Sequence, residues 1–343
     1  MRGRRFYAWL LALSDPSGRR ALPAHSLPVR RWAQLCDLAD RHGVLPAVAA
    51  NIKRELATDG VARLATGDDA GSALEKVLND VRRRLVARTA LTLAIRGQIQ
   101  EIAAAFVAAS VRATVLKGAD FSDCLYPDPS LRPFTDLDLL VPREEVASAE
   151  RILSELGYTA CEAGMKYESG YGERSWRRPD RREGTVEVHW NLVNSPKLRR
   201  GLDLAWNDLA FADDSRPDGT MVRPTASSRL LIAAVHAAAS HGFDRLQLLY
   251  DVSLAAAGRG GPLDVEWLAA AARRTGAALA LTVSLSLSAR LLAEPACSAL
   301  RRQLRLPGWG SWAILLDRGV VLRGHASQDS YRRQLFRELL KRR

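Results

Sequence analysis

The chain has 343 residues, of which 47% are hydrophobic and 26% are charged, a composition typical of a soluble globular protein. Its formal net charge of +12 favours anionic partners such as nucleotides, nucleic acid or an acidic membrane surface. No apolar run approaches the roughly 20 residues that a membrane span needs. The four cysteines form no C-x-x-C pair, which argues against a zinc site and a disulfide framework. We therefore expect a cytoplasmic protein without a membrane span.

Residues 1–108 predict a helical region. The apolar run from Phe6 to Leu13 follows a basic start, but it is short and no cleavage site follows closely, so it indicates a first amphipathic helix rather than a signal peptide. Arg30–His42 has apolar residues at helical spacing and ends at Gly43. The Ala- and Leu-rich segment 70–110 predicts one or two further helices.

The hydrophobic pattern changes at Val111, where a strand-rich module begins and continues to about residue 195. Strands are predicted at 111–116, 135–141 and 158–163, and helices at 119–125 and between Pro142 and Gly157. Two alternating segments, 171–177 and 184–192, predict a hairpin.

The chain becomes helical again from Thr225. Candidate helices are 226–241, 244–257, 264–275, 276–292 and 295–305. The predicted fold class is α+β: a mixed sheet with helices at 109–195, between an N-terminal helical region at 1–108 and a C-terminal helical region at 196–343.

Two aspartates, Asp136 and Asp138, interrupt the second predicted strand of this module. Side chains alternate along a strand, so both carboxylates point to one face. Adjacent carboxylates repel each other and resist burial unless a positive charge lies between them. Mg²⁺ would supply that charge, since it prefers oxygen ligands and bridges carboxylates to phosphate oxygens. The alternative is an edge strand whose polar face is simply hydrated.

A Lys117-Gly118 turn precedes the aspartate strand. Gly118 lets backbone approach a ligand, and the N–H groups at the start of the next helix favour an anion. A third acid, Glu187, alternates onto one face with His189 on another strand. Glu187 would complete a metal site or accept a proton from an acceptor hydroxyl. The alternative is that Glu187 pairs with a nearby arginine; the candidates are Arg174, Arg177, Arg178, Arg181 and Arg182.

Several segments of the chain together resemble the signature of a known family. L-K-G-A (116–119) and L-Y-P-D-P-S-L-R-P-F-T-D-L-D-L-L-V (125–141) resemble the signature of the bacterial uncharacterised nucleotidyltransferase family of the polymerase-β-like superfamily. E-V-H-W (187–190), V-H-A-A-A-S-H-G-F-D-R-L-Q-L-L-Y-D-V (235–252) and D-V-E-W-L (264–268) are also similar to it, so the resemblance spans most of the chain.

The resemblance implies a polymerase-β-like core and a magnesium-dependent nucleotidyltransferase that moves an NMP group from an NTP, with ATP as the expected donor, to a hydroxyl acceptor. It implies that Gly118 belongs to the phosphate-binding turn, that Asp136 and Asp138 are the metal-binding pair, and that Glu187 is the third metal-binding acid. His189, on the face that carries Glu187, is expected beside the nucleotide.

One residue departs from the superfamily pattern. Ala119 follows Gly118 where the superfamily usually has serine or a second glycine, so a hydroxyl contact to phosphate is missing. Phosphate recognition then depends on Lys117, Arg132 or backbone amides. The guanidinium of Arg132 matches phosphate geometry well, and the alternative for Arg132 is a surface turn residue.

The acceptor is not evident from the sequence. We expect a small molecule or natural product; the alternatives are a protein or peptide side chain, or a catalytically inactive module that binds nucleotide or nucleic acid. Trp176 and Trp190 flank a basic segment and could stack on bases, but sequence-specific nucleic-acid binding is not expected. His236 and His241 lie five apart, which on an α-helix separates them by about 140°, so they predict a lining of the cleft rather than a metal pair.

Overall fold

The N-terminal region is helical, as the sequence predicts. A computed structural model describes residues 2–57, 64–66, 70–161, 170–179, 183–212, 221–324 and 330–342. Its first helices are α1 (Arg2–Leu13), α2 (Trp32–Arg41), α3 (Leu45–Leu56) and α4 (Ala70–Ala108). Segment 70–110 forms one helix of 39 residues rather than two. Two short strands, β1 (Leu27–Pro28) and β2 (Ala65–Thr66), pair in parallel beside them.

A five-stranded mixed sheet lies in the middle of the chain. Its strands are β3 (Thr114–Leu116), β4 (Asp136–Leu140), β5 (Thr159–Ala160), β6 (Glu173–Arg177) and β7 (Thr185–His189). The spatial order is β3-β4-β7-β6-β5; β4 and β7 are parallel, and the other pairs are antiparallel. The predicted hairpin is confirmed because β6 pairs with β7. Residues 180–182 at its tip, with Arg181 and Arg182, lie outside the described residues.

Helices complete the α+β fold. Within the module lie α5 (Gly118–Leu125) and α6 (Val146–Glu155). After it come α7 (Pro196–Arg199), α8 (Ala226–Val235), α9 (Leu246–Ala256), α10 (Val265–Arg274), α11 (Ala278–Leu292), α12 (Pro295–Gln303), α13 (Arg318–Leu322) and α14 (Tyr331–Leu340). Short 3₁₀ turns lie at Val29–Arg31, Pro129–Leu131, Arg143–Glu145, Trp206–Asp208 and Trp309–Ile314. The predicted helix 226–241 changes after Val235 into a π turn, His236–Ser240.

The sheet has one apolar and one polar face, because its strands alternate with period two. The apolar face buries alternate residues of β4 and β7, namely Leu137, Leu139, Val186 and Val188. They share one core with residues of the covering helices α4 and α6, including Ile95, Phe106 and Ile152. The opposite face carries the acidic residues. Because the helix residues of this core cover only the apolar face, the acidic residues face a cavity.

Helix α4 also fixes the start of β7. The amide of Gln98 donates to Gly184 O at 3.0 Å and accepts from Gly184 N at 3.1 Å. A Cβ at Gly184 would lie 2.5 Å from Ile95 Cγ1, so only glycine allows helix and strand to approach this closely. The contact sets the position from which β7 presents Glu187.

A second core joins the helices before and after the sheet. Its buried residues run from Trp9 in α1 to Leu340 in α14, and they include Trp32, whose ring meets that of Trp9 edge to face with centroids 5.7 Å apart. The N- and C-terminal helical regions therefore pack against each other. The domain limits at 108 and 195 remain a prediction. Among the described helices, none is both long and apolar enough to cross a membrane.

Candidate active site

Two neighbouring strands carry the predicted acids at matched positions. In the parallel pair β4–β7, Asp136 lies opposite Thr185 and Asp138 lies opposite Glu187. His189 follows Glu187 on the same face of β7, and Glu173 of β6 lies opposite His189. The structure thus brings Asp136, Asp138, Glu187 and His189 to one face, as alternation predicts.

Asp138 lies at the centre of the cluster and is 4% exposed. Its Oδ1 lies 2.9 Å from Lys117 Nζ and 2.8 Å from His189 Nε2. Burial opposes ionisation, but Lys117 and then His189 outweigh it and hold the pKa of Asp138 well below its usual range. Burial likewise disfavours the Lys117 ammonium, yet Asp138 raises the pKa of Lys117. Asp138 is therefore an ionised carboxylate between two cations.

His189 connects Asp138 to acids that face the same cavity. Its Nδ1 lies 3.1 Å from Glu173 Oε2, outside hydrogen-bond geometry, and its Nε2 lies 3.6 Å from Glu187 Oε2. Asn194 Nδ2 donates to Glu173 Oε2 at 2.5 Å. Burial would lower the pKa of His189, but Asp138 and Glu187 raise it to about 9. His189 therefore orients Asp138 as a buried cation.

Sequence reasoning missed Glu173. The predicted hairpin contained the necessary signal, because a strand 171–177 paired with 184–192 places one of its faces beside Glu187 and His189. The missing information was the register, which is Glu173 opposite His189.

Asp136 differs from Asp138 in having no cationic partner. Its carboxylate has no hydrogen bond or ion pair to any residue that the structure describes. Burial, followed by the charge of Asp138, raises the pKa of Asp136 to about 6. A carboxylate held among acids without a partner is a group that a bound cation would stabilise.

The turn before α5 is strained at Lys117, not at Gly118. Lys117 has φ +47° and ψ −112°, a conformation that side-chain-bearing residues rarely adopt, whereas φ of Gly118 is not positive. A Cβ at Gly118 would meet Phe134 and the Asp136 carbonyl at an ordinary 3.5 Å. Such strain is common at functional sites, and here it accompanies the placement of the Lys117 ammonium on Asp138.

Arg132 is buried, so the alternative of a surface turn residue is wrong. Its Nε and Nη2 donate to the two carboxylate oxygens of Asp251 at 2.9 and 2.8 Å, and its Nη1 donates to Gly118 O at 3.1 Å. Tyr126 also donates to Asp251, at 2.9 Å. Arg132 therefore holds the Lys117-Gly118 turn against α9; its contact with phosphate remains a prediction.

The prediction that His236 and His241 diverge is wrong. They bound a π turn, in which i→i+5 hydrogen bonding widens the helix and brings residues five apart towards one face. Their rings meet edge to face with centroids 4.7 Å apart. Both line the cavity that contains the acids, as the prediction of a cleft lining requires.

The cavity over the polar face of the sheet has a volume of about 500 Å³. All the predicted site residues except His189 line it; these are Lys117, Gly118, Arg132, Asp136, Asp138 and Glu187. Ligand atoms of Asp138, Glu187 and His189 lie within 4.8 Å of one another. The carboxylates suit a hard divalent cation, whereas His189 Nε2 already bonds to Asp138. The donor set is therefore compatible with a divalent cation; Mg²⁺ itself and the individual ligand assignments remain a prediction.

The competing interpretations of the basic hairpin receive little support. Among the described arginines, Arg174 pairs with Glu150 and Arg178 with Glu101, and none pairs with Glu187. Trp176 is buried in the core beneath the sheet, so it cannot stack on a base.

A family model described as an uncharacterised nucleotidyltransferase matches residues 28–293, which include the whole sheet and the cavity. The chain belongs to this family. Searches of curated proteins and of solved structures found no match. Membership in an uncharacterised nucleotidyltransferase family supports nucleotidyl transfer in general, and the mixed sheet with many helices is consistent with a nucleotidyltransferase fold. The family does not specify the metal, the nucleotide or the acceptor.

Proposed function

We propose that the chain transfers an NMP group from an NTP, with ATP as the expected donor, to a hydroxyl acceptor in a magnesium-dependent reaction. One observation carries the proposal: Asp136, Asp138 and Glu187 on paired strands face one cavity with the Lys117-Gly118 turn. Mg²⁺ held by Asp136 and Asp138 would neutralise charge on the phosphate oxygens, which leaves Glu187 available for the acceptor.

Different residues of the cavity bind the cation, face the phosphates and hold these groups in position. Asp136 and Asp138 bind the cation, the strained turn at Lys117 and Gly118 faces the phosphates, and Arg132 keeps that turn in place. His189 fixes the orientation of the Asp138 carboxylate through its Nε2. Catalysis by such a site consists mainly of positioning and electrostatic stabilisation.

Glu187 is the proposed general base. Its side chain is 25% exposed towards the cavity, whereas His189 is almost fully buried with both nitrogens beside carboxylates. The acceptor oxygen forms a bond to the α-phosphorus as the bond to the bridging oxygen breaks. Pyrophosphate leaves with that electron pair, and the hydroxyl proton passes to Glu187.

Transfer can be tested by mass spectrometry. The protein is incubated with Mg²⁺, each NTP and a panel of hydroxyl acceptors, which includes small natural products and serine-, threonine- and tyrosine-containing peptides. A mass increase of one NMP identifies the acceptor class. NTP binding without transfer to any acceptor would favour the catalytically inactive binding module.

Glu187→Gln separates binding from chemistry. We expect it to retain NTP binding but to lose transfer by about 10²–10⁴-fold, the usual contribution of a positioned general base. Glu183→Gln is a matched control, because Glu183 precedes the same strand and lies beside Arg178 outside the cavity. Normal turnover by Glu187→Gln would show that the third acid is misassigned.

A further inference from the structure

The carboxylates and the arginines that line the cavity come mostly from different structural elements. Asp136, Asp138, Glu173 and Glu187 project from the sheet, whereas a fifth carboxylate, Asp40, lies in α2. Three arginines come from the helical segments: Arg41 at the end of α2, Arg88 in α4 and Arg245 just before α9. We call these three arginines the basic wall; Lys117 and Arg132, which border strands of the sheet, are further cations in the cavity.

The π turn lies next to Arg245 in the lining of the cavity. Arg245 Nη2 lies 3.4 Å from His241 Nδ1, and the His241 ring touches that of His236. Neither ring nitrogen of His236 has a hydrogen bond to any residue that the structure describes. Burial, followed by the charge of Lys117, lowers the pKa of His236 well below its ordinary value, so the ring is neutral. The two histidines thus form a polar part of the cavity lining next to Arg245.

The arginines of the basic wall retain donors for a ligand. Arg41 is exposed and forms no side-chain hydrogen bond or ion pair within the described parts of the chain. Arg88 contacts Asp40, which holds its guanidinium at the cavity edge. Arg245 Nε lies 3.5 Å from Asp244 Oδ1, beyond a good hydrogen bond. Guanidinium groups arranged in this way match phosphate oxygens.

We propose that Arg41, Arg88 and Arg245 form a subsite for the β- and γ-phosphates of the nucleotide, with His236 and His241 in the lining beside it. The inference rests on the proposed function, which places the α-phosphate beside Asp136 and Asp138. The remaining phosphates then extend within the same cavity towards the basic wall. Ala119 provides no hydroxyl for phosphate, and the helices supply the missing donors.

The subsite makes the N-terminal helical region part of the nucleotide site. Arg41 and Arg88 belong to α2 and α4, which precede the strand-rich module in sequence. An isolated strand-rich module would therefore lack two of the three cationic groups that we assign to the triphosphate.

Calorimetric titrations with ATP and AMP in Mg²⁺ test the subsite, using Arg41→Gln and Arg245→Gln in the full chain. Each lost charged hydrogen bond should weaken ATP binding by about 10- to 100-fold. AMP binding should stay within about twofold of the wild type, because AMP has no β- or γ-phosphate. Arg83→Gln is the matched control, since Arg83 is 76% exposed on α4 and lies outside the cavity.

Four outcomes would overturn the subsite. Unchanged ATP affinity in both variants would exclude these arginines from binding the triphosphate. Equal losses for ATP and AMP would place them on a part of the nucleotide that both ligands share. Unchanged ATP affinity with weaker binding of inorganic phosphate would assign the wall to an anionic acceptor. A wild type that binds no ATP would contradict the proposed function itself and the subsite with it.

Discussion

At the scale of single residues, the two aspartates of β4 have different electrostatic environments. Asp138 lies between Lys117 and His189, whereas Asp136 has no ion pair among the described residues, and burial and the charge of Asp138 outweigh the cations near it. Alternation predicts that both aspartates share a face, but it cannot show which of them is neutralised. That difference depends on Lys117, which reaches Asp138 from the end of an adjacent strand.

The two environments predict opposite effects on stability. Asp138→Asn leaves Lys117 and His189 buried without the carboxylate that contacts both of them, so the free energy of unfolding should fall by about 3–5 kcal/mol. Asp136→Asn removes a repelling charge and should leave stability unchanged or raise it. Urea unfolding of both variants without Mg²⁺ checks this contrast. Equal destabilisation would contradict the assignment of the two environments.

At the scale of elements, the local sequence pattern predicts individual strands, helices and the hairpin, but not how distant elements pair. The strand at 111–116, the aspartate strand, the hairpin and most helices are confirmed, because their periodicity and end signals lie within a few residues. The π turn could not be predicted, since V-H-A-A-A-S-H equally suits an α-helix. The parallel pairing of β4 with β7 joins residues about fifty positions apart, and no local pattern specifies it.

A non-local ion pair, Arg132–Asp251, attaches the turn before β4 to α9. Both side chains are at most 5% exposed, so Arg132→Met leaves a buried carboxylate with Tyr126 as its remaining side-chain donor. We expect the free energy of unfolding to fall by about 3–5 kcal/mol, and the double variant Arg132→Met/Asp251→Leu to recover part of the loss.

Chemical denaturation of the single and double variants measures this coupling. Arg174→Met is the matched control, because Arg174 is 51% exposed in its ion pair with Glu150 and should contribute less than about 1 kcal/mol. Additive losses in the double variant would show that Arg132 and Asp251 act independently.

At the scale of the whole molecule, the strand-rich module depends on helices outside it. The apolar face of the sheet shares a core with Ile95, Ile102 and Phe106 of α4, which precedes the module in sequence. The other core joins α1 to α14. The sequence predicts three consecutive regions, but which helix covers the sheet depends on long-range packing that composition does not reveal.

A fragment of residues 109–195 should therefore fail to fold. Without α4, the fragment exposes Leu137, Leu139, Val186 and Val188 to water, and small units with little buried apolar surface are marginal. We expect no cooperative thermal transition by circular dichroism, in contrast to the full chain. A cooperative melt of the fragment would support the predicted limits at 108 and 195 as those of an independent domain.

The central claim is a metal-dependent nucleotide site on the carboxylates of β4 and β7. Calorimetric titration of ATP into the wild type and Asp136→Asn, each with Mg²⁺ and with EDTA, tests it most directly, because Asp136→Asn removes a carboxylate without breaking an ion pair. We predict that the wild type binds ATP at least about tenfold more tightly with Mg²⁺, and that the folded variant shows no such difference. Equal affinity with Mg²⁺ and EDTA in the wild type, or an undiminished Mg²⁺ effect in Asp136→Asn, would contradict the account.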